Sequence, residues 1–142
     1  MNPINSSPVI CRSLKDTRRL ARAFVKSLRS RRGALVLFDA SMGAGKTTFI
    51  CECVKRLGAR VPASSPTFTI INNHGKNIFH IDLYRVEEAS ELQNTDFFDI
   101  ISGTNFVFIE WAEKFKINYP SDAIRVKIEA GEGNQRVFNI TC

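Results

Sequence analysis

No run in this 142-residue chain approaches the ~18 consecutive apolar residues that a bilayer-crossing helix needs. The first residues, Met1-Asn2-Pro3-Ile4-Asn5-Ser6-Ser7, lack a charged start followed by an apolar stretch, so the expectation is a cytoplasmic protein, neither exported nor membrane-spanning. Cysteine is sparse. Cys11, Cys51, Cys53 and Cys142 include no C-x-x-C pair, and on a helix Cys51 and Cys53 would point to nearly opposite sides. That spacing disfavours a zinc cluster or a disulfide framework and leaves free thiols in a reducing compartment as the better reading. Internal repeats and low-complexity segments are absent, as is an N-K-x-D element for guanine. Acidic residues are missing where bases are dense: nine Lys and Arg lie between Arg12 and Arg32, with Asp16 as the single acid.

What the chain does contain is a strand, a glycine-rich loop and a helix in immediate succession. Ala34-Leu35-Val36-Leu37-Phe38 is too short for a helix and apolar on both faces, as a central parallel strand must be. Gly43-Ala44-Gly45-Lys46-Thr47-Thr48 follows, with Ala40 at the first position of the usual G-x-x-x-x-G-K-[ST] pattern. Small residues let successive backbone N–H groups turn inward on the β- and γ-phosphates of a nucleoside triphosphate. The Lys46 ammonium reaches the terminal phosphates, the Thr47 hydroxyl ligates Mg²⁺, and the positive end of the following helix favours the anion. Phe49, Cys53 and Leu57 recur at helical spacing beside Ile50 and Val54, and Gly58 supplies a stop. A nucleoside triphosphate, ATP among them, and Mg²⁺ are therefore the implied ligands.

With 44% hydrophobic residues and a net charge of +6, the chain reads as one domain, residues 1–142, long enough to bury a sheet between two helical layers. Val9-Ile10-Cys11 is a strand. Ser13 with Asp16 caps a helix running to about Ser30, whose apolar face is Leu20, Ala21, Phe24, Val25 and Leu28. After a polar link at 59–66, strands at 67–71 and 78–83 flank a turn at 72–76. Residues 87–101 are helical in pattern, interrupted at Asn94-Thr95-Asp96. The strand 105–109 delivers Glu110-Trp111, and strands 123–130 and 136–141 close a C-terminal hairpin. The expected fold is α/β, a P-loop NTPase-like domain with a mostly parallel central sheet flanked by helices.

A Mg²⁺-nucleotide site needs a carboxylate at the end of an apolar strand near the loop. Glu110 and Asp82 both qualify, one for the metal shell and the other to orient the attacking water. Asp82 shares a strand face with His80. His80 reads as a packed, hydrogen-bonded histidine, His74 as a turn residue and Trp111 as a core anchor.

In order and spacing, GAGKTTF, SSPTFTIIN, HIDLYR, Glu91-Leu92 and FIEWAEKF resemble the bacterial TsaE (YjeE) family from Ala40 to Phe115, with a weaker match at both ends. The resemblance implies a P-loop ATPase that supports threonylcarbamoyladenosine (t6A) formation beside the tRNA anticodon. It further implies action with TsaB-like and TsaD-like proteins, the latter carrying the transfer chemistry. On the same basis Met42 to Thr47 cradle the phosphates, Thr48 adjoins them, and Thr47 and Glu110 hold Mg²⁺. Ser65-Pro66-Thr67 senses the nucleotide, Asp82 is the acid needed for hydrolysis, and Arg136 matches an arginine near the nucleotide. The catalytic set is then Asp82, Glu110 and Lys46. The family usually has Gly-Asp-Leu where Ala40-Ser41-Met42 stands here, and a glycine near Asn94-Thr95.

Two other classes fit parts of the pattern. A small-molecule kinase would need an acceptor pocket and an arginine-rich lid, for which the length leaves little room. A non-enzymatic RNA-binding module would use the basic helix 14–30 to meet tRNA phosphates, with nucleotide as a structural ligand.

Overall fold

The computed structural model describes residues 2–41, 43–60 and 69–142. Within them the elements run β1 (Val9–Cys11), α1 (Leu14–Leu28), β2 (Ala34–Ala40), α2 (Lys46–Arg56), β3 (Ile71–Asn73) and β4 (Ile78–Asp82). Then follow α3 (Phe97–Ser102), β5 (Phe106–Glu110), β6 (Ile124–Ala130) and β7 (Arg136–Thr141), with short 3-10 segments at Ala89–Asn94 and Ala112–Lys114.

Among the described residues the strands form one seven-stranded sheet in the order β1-β7-β6-β2-β5-β4-β3. The four central strands are parallel, and antiparallel pairs finish both edges, β1 and β7 on one side and β3 on the other. This split follows from the sequence. The strands buried on both faces are continuous apolar runs such as FVFIE, whereas β6 alternates as Ile-Arg-Val-Lys-Ile, buried and exposed in turn. Strand β2 lies between β5 and β6, so the chain crosses from one side of it to the other after β5. Such a topological switch point leaves a crevice at the carboxyl ends of the strands, where ligands of open α/β sheets bind.

Alternation along the central strands splits the core in two. Val36, Phe38, Phe108, Ile124 and Val126 share a cluster with the inner faces of α1 and α2. Leu37, Ile81, Val107 and Ile109 meet Leu92, Phe97 and Ile100 on the opposite face. Phe49, in the first turn of α2, packs against Phe24 of α1 at 5.7 Å, Phe38 of β2 at 6.1 Å and Phe138 of β7 at 5.1 Å between ring centroids. Its burial, stabilising by about 2–3 kcal/mol, fixes the start of α2 on the sheet.

The Ser13 cap of α1 forms as the sequence suggests: its hydroxyl accepts from the Asp16 N–H at 3.2 Å, and the Asp16 carboxylate accepts from the Arg12 N–H at 2.9 Å. Gly58, at φ 93°, ends α2 in the left-handed conformation that glycine tolerates.

The interruption expected at Asn94-Thr95-Asp96 is present: the segment 87–101 is two short pieces, because the Thr95 hydroxyl donates back to the Leu92 carbonyl at 2.7 Å and accepts from the Phe97 N–H, ending one piece and starting the next. The hairpin that precedes it differs in its bounds. Strand β3 is Ile71–Asn73, so the turn shifts to Gly75, Lys76 and Asn77, all at positive φ. Of the strand expected at 67–71, residues 67 and 68 lie outside the described residues. His74 lies in this connection, as read, and is 2% exposed, its ring stacked on His80 at 6.4 Å.

Candidate nucleotide site

Strand β2 ends at Ala40, and its continuation turns into α2 through Gly43 (φ 77°) and Gly45 (φ 92°). A Cβ built on either glycine meets no atom within 4 Å, so backbone conformation, and not crowding, calls for glycine there. Ala40 itself stands in β2, paired with Ile128 and outside the positive-φ residues, so its methyl costs the bend nothing. Met42, expected in the phosphate cradle, lies outside the described residues, as do Ser65, Pro66 and Thr67.

The start of α2 is unusually bare. Gly45 is the N-cap and has no side chain to accept the cap hydrogen bonds, and no acid sits in the first turn. A helix normally satisfies its first N–H groups with a capping side chain or water, and an N-terminus without one is suited to an anion. Lys46 closes over this end: its ammonium donates to the Ala40 carbonyl at 3.2 Å and sits 4.5 Å from the centre of the Trp111 ring. Trp111, read from sequence as a core anchor, packs partly buried against the cluster of Leu37, Ile81 and Ile109 and stands at φ 60°, with Tyr84 at 5.1 Å and the lysine over its ring.

The expected acids arrive together because their strands are neighbours in register. Phe38 of β2 and Asp82 of β4 both pair with Glu110 of β5, which places all three at the carboxyl edge of the sheet. Glu110 is 2% exposed. One of its oxygens accepts from the Thr47 hydroxyl at 3.3 Å, and the other lies 2.7 Å from His80 Nε2. An ionised carboxylate only accepts, so Nε2 carries the hydrogen. His80 Nδ1 is buried without a hydrogen-bond partner among the described residues, so Glu110 is the partner that orients the ring. Asp82 is half-buried, its Oδ1 accepting from the Tyr84 N–H at 2.9 Å. Burial pushes its carboxyl above the ordinary range, and the charge of Glu110 pushes the same way, against the Tyr84 hydrogen bond.

Thr47 and Glu110 supply the hard oxygen donors that Mg²⁺ prefers, and that ion completes its shell with waters and substrate phosphates instead of a protein cage. No group of three His, Cys, Asp or Glu side chains is gathered for a metal among the described residues. A cleft of about 330 Å³ opens beside the loop, lined by Gly43, Ala44, Gly45 and Thr48 on one wall and by Arg12, Ser13, Asn134 and Arg136 on the others. Arg136 thus lines the cleft beside the loop, and its guanidinium donates to the Gln135 carbonyl at 3.0 Å. Arg12 is an addition to the expected set. Nothing in its sequence neighbourhood separates it from the other bases of the N-terminal helix; only the pairing of β1 with β7 carries it to the loop.

Bare α2 N-terminus, glycine loop and strand-end acids at a switch point define a P-loop type α/β protein. The chain belongs to the TsaE family: the model of the family described as "Threonylcarbamoyl adenosine biosynthesis protein TsaE" matches residues 11–138. It is similar to the tRNA threonylcarbamoyladenosine biosynthesis protein TsaE of Rickettsia bellii, at 31% identity over 99% of this chain and 98% of that one. The protein of the same name from Bacillus subtilis is 29% identical over 89% of this chain and 78% of its own. Among solved structures, Bacillus subtilis YdiB superposes with a TM-score of 0.69 at 22% identity, covering 93% of this chain and 82% of that one, which supports the fold. No helix among the described residues is long and apolar enough to cross a membrane.

Proposed function

We propose that this protein is a cytoplasmic ATPase of tRNA t6A biosynthesis, slow alone and dependent on a complex of TsaB-like and TsaD-like proteins, and that residues 1–142 act as one domain. Its family and the names of its relatives support the pathway. The observation that carries the nucleotide reading is the uncapped α2 N-terminus, with Lys46 folded across it and Thr47 hydrogen-bonded to Glu110.

In this reading Gly43 to Thr48, with Met42 before them, hold the triphosphate of ATP through backbone N–H groups, and Arg136 lies along the cleft. Lys46 swings from the Ala40 carbonyl to the terminal phosphate, exchanging a neutral acceptor for an anionic one and a stronger hydrogen bond. Thr47 and Glu110 hold Mg²⁺, which when bound neutralises charge on the phosphates. Asp82 orients the attacking water; its raised affinity for a proton suits a group that must briefly take one. His80 holds Glu110 in place.

Titration calorimetry with Mg·ATP, and phosphate release with and without the TsaB-TsaD-like pair, test this. Tight binding by the wild type, its loss in Lys46→Ala, and partner-stimulated release of phosphate are expected. Unchanged affinity in Lys46→Ala would sink the phosphate-loop reading, and transfer of phosphate to an added small molecule would replace the ATPase with a kinase.

A further inference from the structure

Away from the loop, α1 and α2 pack side by side and leave a groove of about 440 Å³ between them. Its lining is Arg22 and Lys26 from α1, Arg29 at the C-cap of that helix, Arg56 from α2, and Val25 at the floor. The spacing i, i+4, i+7 sets the three α1 cations along one face over roughly 10 Å of helix. Arg56 adds a fourth from the opposite wall, a contribution that no reading of α1 alone reveals.

The balance of charge in the groove is one-sided. Glu52 is the acid nearby, and it is shared between Arg18 at 3.2 Å and Arg56 at 3.7 Å. Among the described residues Arg22, Lys26 and Arg29 have no carboxylate within ion-pair distance, although all three are exposed. A surface of this kind raises the local concentration of anions and releases their counterions when they bind.

We propose that this groove binds the phosphate backbone of RNA. An acidic protein surface is the less suitable occupant, because the centre of a protein interface buries apolar side chains and is depleted in charge. Here the one apolar lining residue, Val25, is already 2% exposed, so the groove offers no free apolar side chain to anchor a protein partner. Three of the four cations are arginines, whose planar fork matches phosphate oxygens in pairs. Arg56 closes the far end of the helix that begins at Lys46, about 16 Å from the phosphate loop at 1.5 Å per residue, so RNA and nucleotide occupy separate places. The choice of tRNA as probe rests on the function proposed above; the groove does not.

The test is fluorescence anisotropy of the full chain with a labelled, unmodified tRNA transcript at several salt concentrations. Arg22→Gln, Lys26→Gln and Arg29→Gln are combined in one variant. Lys15→Gln, Arg19→Gln and Lys116→Gln, exposed charges outside the groove, form a second variant with the same change in net charge. Circular dichroism and Mg·ATP affinity, measured on both, report that fold and loop are intact. The groove variant should bind RNA at least tenfold more weakly at low salt. Its slope of log K against log salt should be shallower by about 2, since each phosphate that is no longer neutralised removes roughly 0.7–0.9 from the slope. The control variant should keep most of the wild-type affinity. Equal losses in the two variants would reduce the effect to net charge and overturn the groove, as would an unchanged slope or no binding by the wild type. Polyglutamate binding as tightly as tRNA, with the same loss in the groove variant, would overturn RNA in favour of an acidic protein partner. Loss of ATP binding in Lys46→Ala with RNA binding intact would separate this site from the nucleotide site.

Discussion

His80 and Glu110 form the one buried ionisable pair on the described sheet, and its energetic coupling is open to direct measurement. Nε2 lies 2.7 Å from the carboxylate with both residues almost fully buried, so the bond is made away from water. Hydrogen bonds to charged groups contribute about 1.5–3 kcal/mol. Truncating His80 to Ala removes that bond and leaves a cavity where the ring stood, so the total cost should be about 3–5 kcal/mol. Glu110→Gln keeps the volume and removes the charge. In a double-mutant cycle by urea unfolding at pH 7.5 without nucleotide, the coupling should be about 1.5–3 kcal/mol, well above the roughly 0.5 kcal/mol within which independent sites add. Because His80 also holds the carboxylate toward Thr47, His80→Ala should raise the Mg²⁺ concentration for half-maximal phosphate release, whereas His80→Gln, which restores an N–H donor, should recover part of both losses. A coupling below about 0.5 kcal/mol would refute the reasoning and reduce His80 to filler.

Asp82→Asn should retain metal-bound ATP but lose hydrolysis, while Glu110→Gln should weaken the Mg²⁺ dependence; magnesium titrations of binding and turnover check both, and the opposite pattern would exchange their roles. Burial raises the Asp82 carboxyl in the folded state, so the folded chain holds that proton more tightly than the unfolded chain and stability falls as pH rises from about 4 through the raised value. The stability gap in favour of Asp82→Asn should therefore be wider at pH 8 than at pH 4, read from urea midpoints, and equal gaps would contradict this origin. Ala40→Gly should leave ATP affinity within about twofold and cost about 0.5–1 kcal/mol, since Ala40 is a strand residue of ordinary φ. Gly33→Ala should cost about 1–3 kcal/mol in thermal or urea unfolding, because the new Cβ would fall 2.6 Å from the Asn105 carbonyl oxygen, backbone that cannot swing aside where β2 and β5 enter the sheet.

The parts of the site that could be read from sequence are those built by local order. A strand, a glycine turn and a helix in series carry their own geometry, so Gly43 to Thr48 needed no tertiary information, and the apolar ends of FVFIE and FHID marked Glu110 and Asp82 as strand-terminal acids. Which of these acids stands next to the loop is a matter of strand order. Glu110 reaches Thr47 because β5 is the direct neighbour of β2, while Asp82 is one strand further out. A sequence in which strands of similar composition recur gives no rule for that order.

What remained hidden depends on pairs of residues far apart in the chain. Arg12 differs from its basic neighbours only because β1 adds to the edge of the C-terminal hairpin, and Arg56 joins the α1 cations only because α1 and α2 lie together. Arg18, which the helix pattern alone groups with Arg22 and Lys26, is set apart by its ion pair with Glu52, 34 residues away, a carboxylate it shares with Arg56. Charge along one helix therefore described a basic face, and the packing of a second helix divided that face into a paired part and an unpaired part. The same logic applies to His80. As a lone histidine on an apolar strand it is ordinary core; with Glu110 in the neighbouring strand, on the same face and 2.7 Å away, it becomes the residue that holds the proposed metal ligand in place.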